Sequence, residues 1–270
     1  MRTGPDNGCR QRMPASNFLS GLSRSDATAF DAIKVTITYP EGTVLFVERE
    51  EPRGVFVLST GRVKLSIGSA SGKVVILRIA KPGEILGLHA VVSSTEFQAT
   101  AETLEPCHAS FVRRDEFLRF LREHSQAALE AAKQLSASYQ EACEQLRSIG
   151  LCDSARKRVA RFVLEWAESG EVHEDGVRAT LALTHEEIGQ LIGTSRETIT
   201  RALGDFKSRQ WIAIKGSTLL VRNIGALQEL VGQDGYASWA TGPARNEKAR
   251  GVRPYLDAQS PKTAVSEILL

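Results

Sequence analysis

Arg196, Glu197, Thr200 and Arg201 stand at i, i+1, i+4 and i+5, so on a helix they share one side. Ile199, Ala202, Leu203 and Phe206 fall on the other. The polar four are side chains that can read the edges of DNA bases. Arginine bonds guanine O6 and N7 with both arms, glutamate accepts from cytosine N4, and threonine touches a thymine methyl or hydrogen-bonds a base. A glutamate among DNA phosphates is repelled unless a base donor or a neighbouring arginine compensates. Glu197 between Arg196 and Arg201 therefore points to base reading rather than general adhesion to a polyanion. Taken alone, the same residues also fit a solvated helix face with a Glu197 to Arg201 ion pair, so the flanking sequence has to decide.

Thr184 and Glu187 form a T-x-x-E capping box, and Ile188, Leu191 and Ile192 follow as the inward face of a short helix. Gly193 ends that helix, Thr194 continues the turn, and Ser195 caps the helix that carries the polar face. Two short helices joined by a glycine turn make a helix-turn-helix. Beyond it, "WIAI" and "TLLV" flank Lys215-Gly216-Ser217 as a hairpin, or wing. From Ser195 to Arg222 there are six Lys or Arg against two acidic residues, which makes this surface locally positive. Upstream, Asp153 or Ser154 caps a helix with Val159, Phe162, Val163 and Trp166 inward and Arg156, Lys157, Arg158 and Arg161 outward. "GVRATLALT" then alternates Val177, Ala179, Leu181 and Leu183 as a strand, and residues 224 to 231 form one more short helix.

The elements that carry this unit are equally patterned. From Tyr39 to Val112 short β-branched runs are punctuated by glycine: "GTVLFVE", "GVFVLST", "GRVKLSIG" and "GKVVILRIAKPGEILG". Val63, Leu65 and Ile67 alternate with Lys64 and Ser66 as a half-buried strand, and strands at such even spacing imply a small barrel or roll. A helical stretch then places Ala128, Ala132, Leu135, Tyr139, Ala142, Leu146 and Ile149 at alternating steps of four and three. That heptad seam predicts pairing with a second copy of the chain in a parallel homodimer. The expected organisation is a flexible arm over 1–24, a β-roll sensor over 25–125, a dimerisation helix over 126–150, a winged helix-turn-helix over 151–231 and a disordered tail over 232–270. The fold class is α+β, with a roll of the double-stranded β-helix or jelly-roll type.

A chain of 270 residues suits two domains, each with its own core. Its formal net charge of +2 is too small to name a partner, so charge has to be read locally. The first thirty residues hold no continuous apolar run, and Ile85 to Val92 is far shorter than the roughly 20 residues of a membrane helix. A cytoplasmic protein without membrane attachment is expected. Cys9, Cys107, Cys143 and Cys152 contain no C-x2-C pair, and His89, His108, His124, His173 and His185 lie apart. Their spacing suggests neither a metal centre nor a disulfide framework. No nucleophile–base pair or phosphate-cradling glycine loop occurs, so catalysis is not expected.

The run "LTHEEIGQLIGTSRETITRALGDFKSRQWIAIKGSTLLV" resembles the winged helix-turn-helix of the CRP/FNR family of bacterial transcription regulators. The stretch from Tyr39 to Val112, with "GRVKL" and "KPGEILG", is similar to that family's cyclic-nucleotide-binding-type β-roll, and the heptad helix sits where its dimer helix belongs. The resemblance implies base reading by Arg196, Glu197 and Arg201, with Thr200 at a position that varies between branches. It implies phosphate contacts at Thr184, His185, Ser195, Thr198 and Lys215. Double-stranded DNA and RNA polymerase are the partners implied.

The family's cyclic-AMP branch uses a Gly-Glu pair for the ribose and an arginine for the phosphate. Here Leu88 holds the glutamate position and "TEFQATAE" contains no arginine, so cyclic AMP is not expected. An iron–sulfur cluster needs four thiolates, and Cys9 is alone in the N-terminal arm, so no cluster is expected either. The small-molecule effector is left open. Two rival readings compete: a regulatory subunit that uses the roll to control a partner protein, and a small β-barrel metalloenzyme. The first has no use for a winged helix, and the second lacks clustered ligands.

Overall fold

The computed structural model describes residues 17–150 and 154–232. A 3-10 turn at Leu19–Gly21 leads into α1 (Arg24–Ile33), whose N-cap Ser23 accepts from the backbone N–H of Asp26. The roll follows as β1 (Val35–Tyr39), β2 (Val44–Phe46), β3 (Gly54–Thr60), β4 (Val63–Gly68), β5 (Val74–Ala80) and β6 (Ile85–Leu86). Helix α2 (Leu88–Ser93) interrupts it before β7 (Thr100–Thr103) and β8 (Cys107–Arg113). The strands form two antiparallel four-stranded sheets, β1-β8-β3-β6 and β2-β7-β4-β5.

Period-two patterning gives the first sheet two buried faces. Leu58 and Ala109 point between the sheets, where they meet Phe46, Val63, Phe97 and Ala101. Val55, Val57 and Val112 point the other way, against Phe30 of α1, Phe117 of α3 (Arg114–Glu123) and Ala127 of α4 (Ser125–Gly150). On β4 the alternation read from Val63, Leu65 and Ile67 is offset by a register shift between Leu65 and Ser66.

The packed chain reaches back into the segment expected to be a flexible arm. Phe18 is fully buried, its ring 5.6 Å from Phe30 in an edge-on contact and 6.3 Å from Phe117. A single aromatic in a polar stretch carries no periodicity, so the sequence pattern passed over it. Residues 1–16, including Cys9, lie outside the described residues, as do Asp153, Cys152 and the tail from residue 233.

One face of α4 is tied to the roll. Ala127, Glu130, Ala131 and Gln134 are buried, and the Gln134 amide accepts from Ile85 N–H at 2.9 Å and donates to Ile85 C=O at 2.8 Å. The expected seam residues divide accordingly. Ala132, Tyr139, Ala142 and Leu146 are exposed, Ala128 is half-buried, and Leu135 packs against the chain's own core. Leu129, absent from the heptad reading, is half exposed. The outward apolar stripe therefore runs through Leu129, Ala132, Tyr139, Cys143 and Leu146. The side chain of Ile149 is outside the described set.

The second lobe comprises α5 (Ala155–Ala167), β9 (Glu171–His173), β10 (Gly176–Thr180), α6 (His185–Ile192), α7 (Arg196–Ser208), β11 (Ile212–Lys215), β12 (Thr218–Val221) and α8 (Ile224–Gly232). Its sheet runs β11-β12-β10-β9. β9 is wholly exposed, so no apolar alternation announced it, and it is held by backbone pairing to β10. Val163, Ile188, Ile199, Leu203, Phe206 and Leu219 form the centre of this lobe's core. Leu104 of the roll is buried in the same cluster and Ile79 of β5 packs on it, so apolar packing continues from lobe to lobe. The architecture is α+β: an N-terminal β-roll, a long helix and a C-terminal winged helix-turn-helix.

Candidate nucleic-acid interface

Helix α6 begins with the complete capping box. The Thr184 hydroxyl accepts from Glu187 N–H at 3.2 Å, and the Glu187 carboxylate accepts from Thr184 N–H at 3.0 Å. Two glycines shape the turn that follows. Gly193 has a φ of 69°, the left-handed conformation in which a Cβ is costly. A Cβ on Gly189, in mid-helix, would come within 2.7 Å of the Thr194 carbonyl. The sequence reading missed this second requirement, because a helical glycine gives no sign of what will approach it. Ser195 then caps α7, accepting from Thr198 N–H at 3.3 Å.

On α7, Ile199, Ala202, Leu203 and Phe206 are buried, while Arg196, Glu197, Thr200 and Arg201 are all exposed. The four expected base-reading side chains thus share one free face on a helix whose other side is anchored. Glu197 is held ionised: its own backbone N–H, the Ser195 hydroxyl and the flanking arginines keep its carboxyl below the usual range. An ionised carboxylate is a pure acceptor, as reading a cytosine amino group requires.

Of the expected phosphate contacts, Thr184 and Ser195 are exposed at the N-termini of α6 and α7, where backbone N–H groups favour anions. Thr198 is half-buried, its hydroxyl 3.1 Å from Ser195 Oγ. Lys215 is exposed at the wing, beside Gly216 with its φ of 58°. His185 is half-buried and lies against α7, with Nδ1 2.9 Å from Thr200 Oγ1. Burial, with Lys207 and Arg196 close by, pulls its imidazole below the usual histidine pKa.

Two of the arginines expected to point outward from α5 brace this surface instead. Arg156 pairs with Asp205 of α7 at 2.5 Å and lies over the Phe206 and Trp211 rings, and Arg158 donates to the Gly193 carbonyl at 3.1 Å. Helical spacing distinguishes inward from outward, but not solvent from a neighbouring helix. The roll also reaches this unit through Lys64, which pairs with Glu187 at 3.0 Å and with Glu102 at 3.1 Å. Arg62 stacks 4.5 Å from the Trp166 ring and donates to the Thr180 carbonyl. Among the described residues no group of three His, Cys, Asp or Glu is placed to hold a metal ion, and no helix is long and apolar enough to cross a membrane.

Residues 36–124 match the cyclic nucleotide-binding domain family, and residues 157–230 match the Crp-like helix-turn-helix domain family. The chain belongs to the CRP/FNR family of transcriptional regulators. This CRP/FNR regulator is 26% identical over 207 residues to the CRP-like cAMP-activated global transcriptional regulator of Mycobacterium tuberculosis, a match covering 76% of this chain and 92% of that one. It is 26% identical over 192 residues to the cyclic AMP receptor protein of Thermus thermophilus, covering 71% of this chain and 86% of the relative. In fold it resembles FixK2 from Bradyrhizobium japonicum, with a TM-score of 0.66 at 22% identity over 73% of this chain and 97% of that structure. This CRP/FNR regulator is a DNA-binding protein, and α6, α7 and the wing lie within its Crp-like helix-turn-helix domain.

Proposed function

We propose that this regulator binds an inverted-repeat operator as a homodimer, with one α7 in the major groove of each half-site. The observation that carries the reading is the α7 face itself: Arg196, Glu197, Thr200 and Arg201 exposed together above a fully anchored apolar side. Arg196 and Arg201 take guanine edges, Glu197 takes a cytosine amino group, and Thr200 sets the choice at a neighbouring pair. Thr184, Ser195, Thr198 and Lys215 hold phosphates, with His185 beside them. The dimer forms along α4, where Tyr139 and Leu146 are 73% and 71% exposed in the single chain, a state apolar side chains at helical spacing leave by pairing. Two-fold symmetry then sets the half-sites about one helical turn apart, roughly 10 base pairs.

RNA polymerase is the partner through which such a protein acts on transcription, and the cytoplasm is where it works. No catalytic step is assigned to it. The roll's residues do not fit a cyclic phosphodiester. Leu88 is buried in apolar packing, and Phe97 lies in the segment where an arginine would be needed, its ring stacked on Phe46 at 4.0 Å. A phosphate buried at the Phe97 position would find an apolar ring where a cation is needed; the arginines beside this segment, Arg49 and Arg114, line a surface cavity instead, and Arg114 donates to Ser94 Oγ at 2.8 Å. Isothermal titration of the full chain with cyclic AMP is expected to give no saturable heat at micromolar ligand, and a micromolar dissociation constant would overturn this assignment.

The test of the function is selection from random duplex DNA. The expected product is an inverted repeat with G·C pairs in each half, and recovery of no repeat, or no binding to any duplex at low salt, would refute it.

A further inference from the structure

The hydrogen bonds around Thr200 constrain how that residue can read DNA. Its Oγ1 lies 2.9 Å from the Arg196 carbonyl oxygen, one turn back on α7, and 2.9 Å from His185 Nδ1 on α6. A carbonyl only accepts, so the single hydroxyl hydrogen must lie between Oγ1 and the Arg196 oxygen; otherwise two acceptor oxygens would face each other at hydrogen-bond distance. The bond from the imidazole must then run from Nδ1–H to Oγ1. His185 is thereby fixed with its proton on Nδ1 and a bare lone pair on Nε2. Thr200 has no hydrogen left for guanine O6 or N7 or for thymine O4; one lone pair remains on its oxygen, but that oxygen is held between Arg196 and His185, and the γ-methyl is the group not tied by either bond.

From this we infer that Thr200 reads a thymine through its methyl group, and that His185 is a positioning residue that holds the threonine hydroxyl turned away from the groove. The inference rests on the proposed DNA-reading role of α7 and goes beyond it by assigning base, contact type and a partner on the preceding helix. The geometry also changes what His185 offers DNA. In its neutral form Nε2 accepts rather than donates, so a phosphate meeting that nitrogen finds no hydrogen bond there.

The test uses the full chain and the selected operator duplex, with each thymine replaced in turn by deoxyuridine, which lacks only the C5 methyl. One thymine per half-site is expected to show a loss of about fourfold in affinity, the worth of one buried methyl-sized contact. Thr200→Val keeps that loss, because the γ-methyl remains, and Thr200→Ser abolishes it. His185→Asn, whose amide nitrogen can stand in for Nδ1–H, retains the discrimination, whereas His185→Leu weakens it. Discrimination that survives Thr200→Ser would show that a group other than the threonine methyl meets the thymine methyl, and would overturn the inference. So would an operator in which no thymine methyl matters.

A pH series separates positioning from mere support. The groups facing His185 are Arg196 and Lys207 from α7, with Glu186 and Glu187 beside it on α6. The imidazolium and this neutral tautomer both carry Nδ1–H, so the deoxyuridine penalty is expected to be equal at pH 8 and pH 6. A penalty that changes as the imidazole protonates would mean the hydroxyl had been donating to Nδ1, against the assignment. If the protein bound no selected duplex at all, the DNA-reading role itself would fail. Tight binding without a deoxyuridine effect would remove only the present inference.

Discussion

Arg201→Ala is expected to weaken binding to the selected operator by about 1–3 kcal/mol, while affinity for non-specific duplex changes little. The asymmetry is the substance of the prediction. Arg201 stands exposed one turn beyond Glu197, on the face of α7 proposed to enter the groove, and it is one of the cations that keep Glu197 ionised. A guanidinium bonded twice to one guanine is lost only where that guanine is present. A guanidinium on phosphate is lost on every sequence, and the salt dependence falls with it. Fluorescence anisotropy with the operator, a variant operator carrying one changed G·C pair, and unrelated DNA decides between the two. Equal losses on all three would reassign Arg201 to the backbone.

The second large effect lies far from the DNA. Tyr139→Asp combined with Leu146→Asp is expected to give a folded monomer, because both positions are exposed in the single chain and neither belongs to its core. Two carboxylates on the stripe, repeated on the second copy, repel where apolar groups should meet. Each half-site then has to be bound alone, without the high local concentration that a dimer gives its second head. Operator affinity falls by about 10² to 10⁴. Sedimentation velocity reads the mass, circular dichroism the retained fold, and anisotropy the loss. A double variant that sedimented as a dimer and bound with full affinity would place the dimer contact elsewhere.

Both predictions start from spacing visible in the chain, and both needed the folded molecule to become specific. The alternation in the glycine-punctuated strands, the T-x-x-E box, the Gly193 turn and the two faces of α7 are local regularities. They follow from fixed helical and strand periods, so they can be read in one dimension. Membership of the family followed from the same local strings. The α4 stripe shows the limit of that reading: the heptad predicted a seam through Leu135, but the bidentate Gln134 amide on Ile85 anchors the helix to the roll and draws Leu135 into the chain's own core. Which side of a helix meets which neighbour depends on residues about fifty positions away, and no periodicity contains them.

The interface divides in the same way. Residue types and spacing alone determined that Arg196, Glu197, Thr200 and Arg201 share a face, and that this face belongs to the second helix of a helix-turn-helix. Tertiary packing alone decided that Arg156 and Arg158 brace α7 and its turn, that Lys64 ties α6 to the roll, and that His185 reaches Thr200. The physical reason is range. Backbone periods act over a few residues, so the sequence displays them, whereas hydrogen bonds and ion pairs form between groups that only the fold brings within about 3 Å, and their donors and acceptors are settled only there.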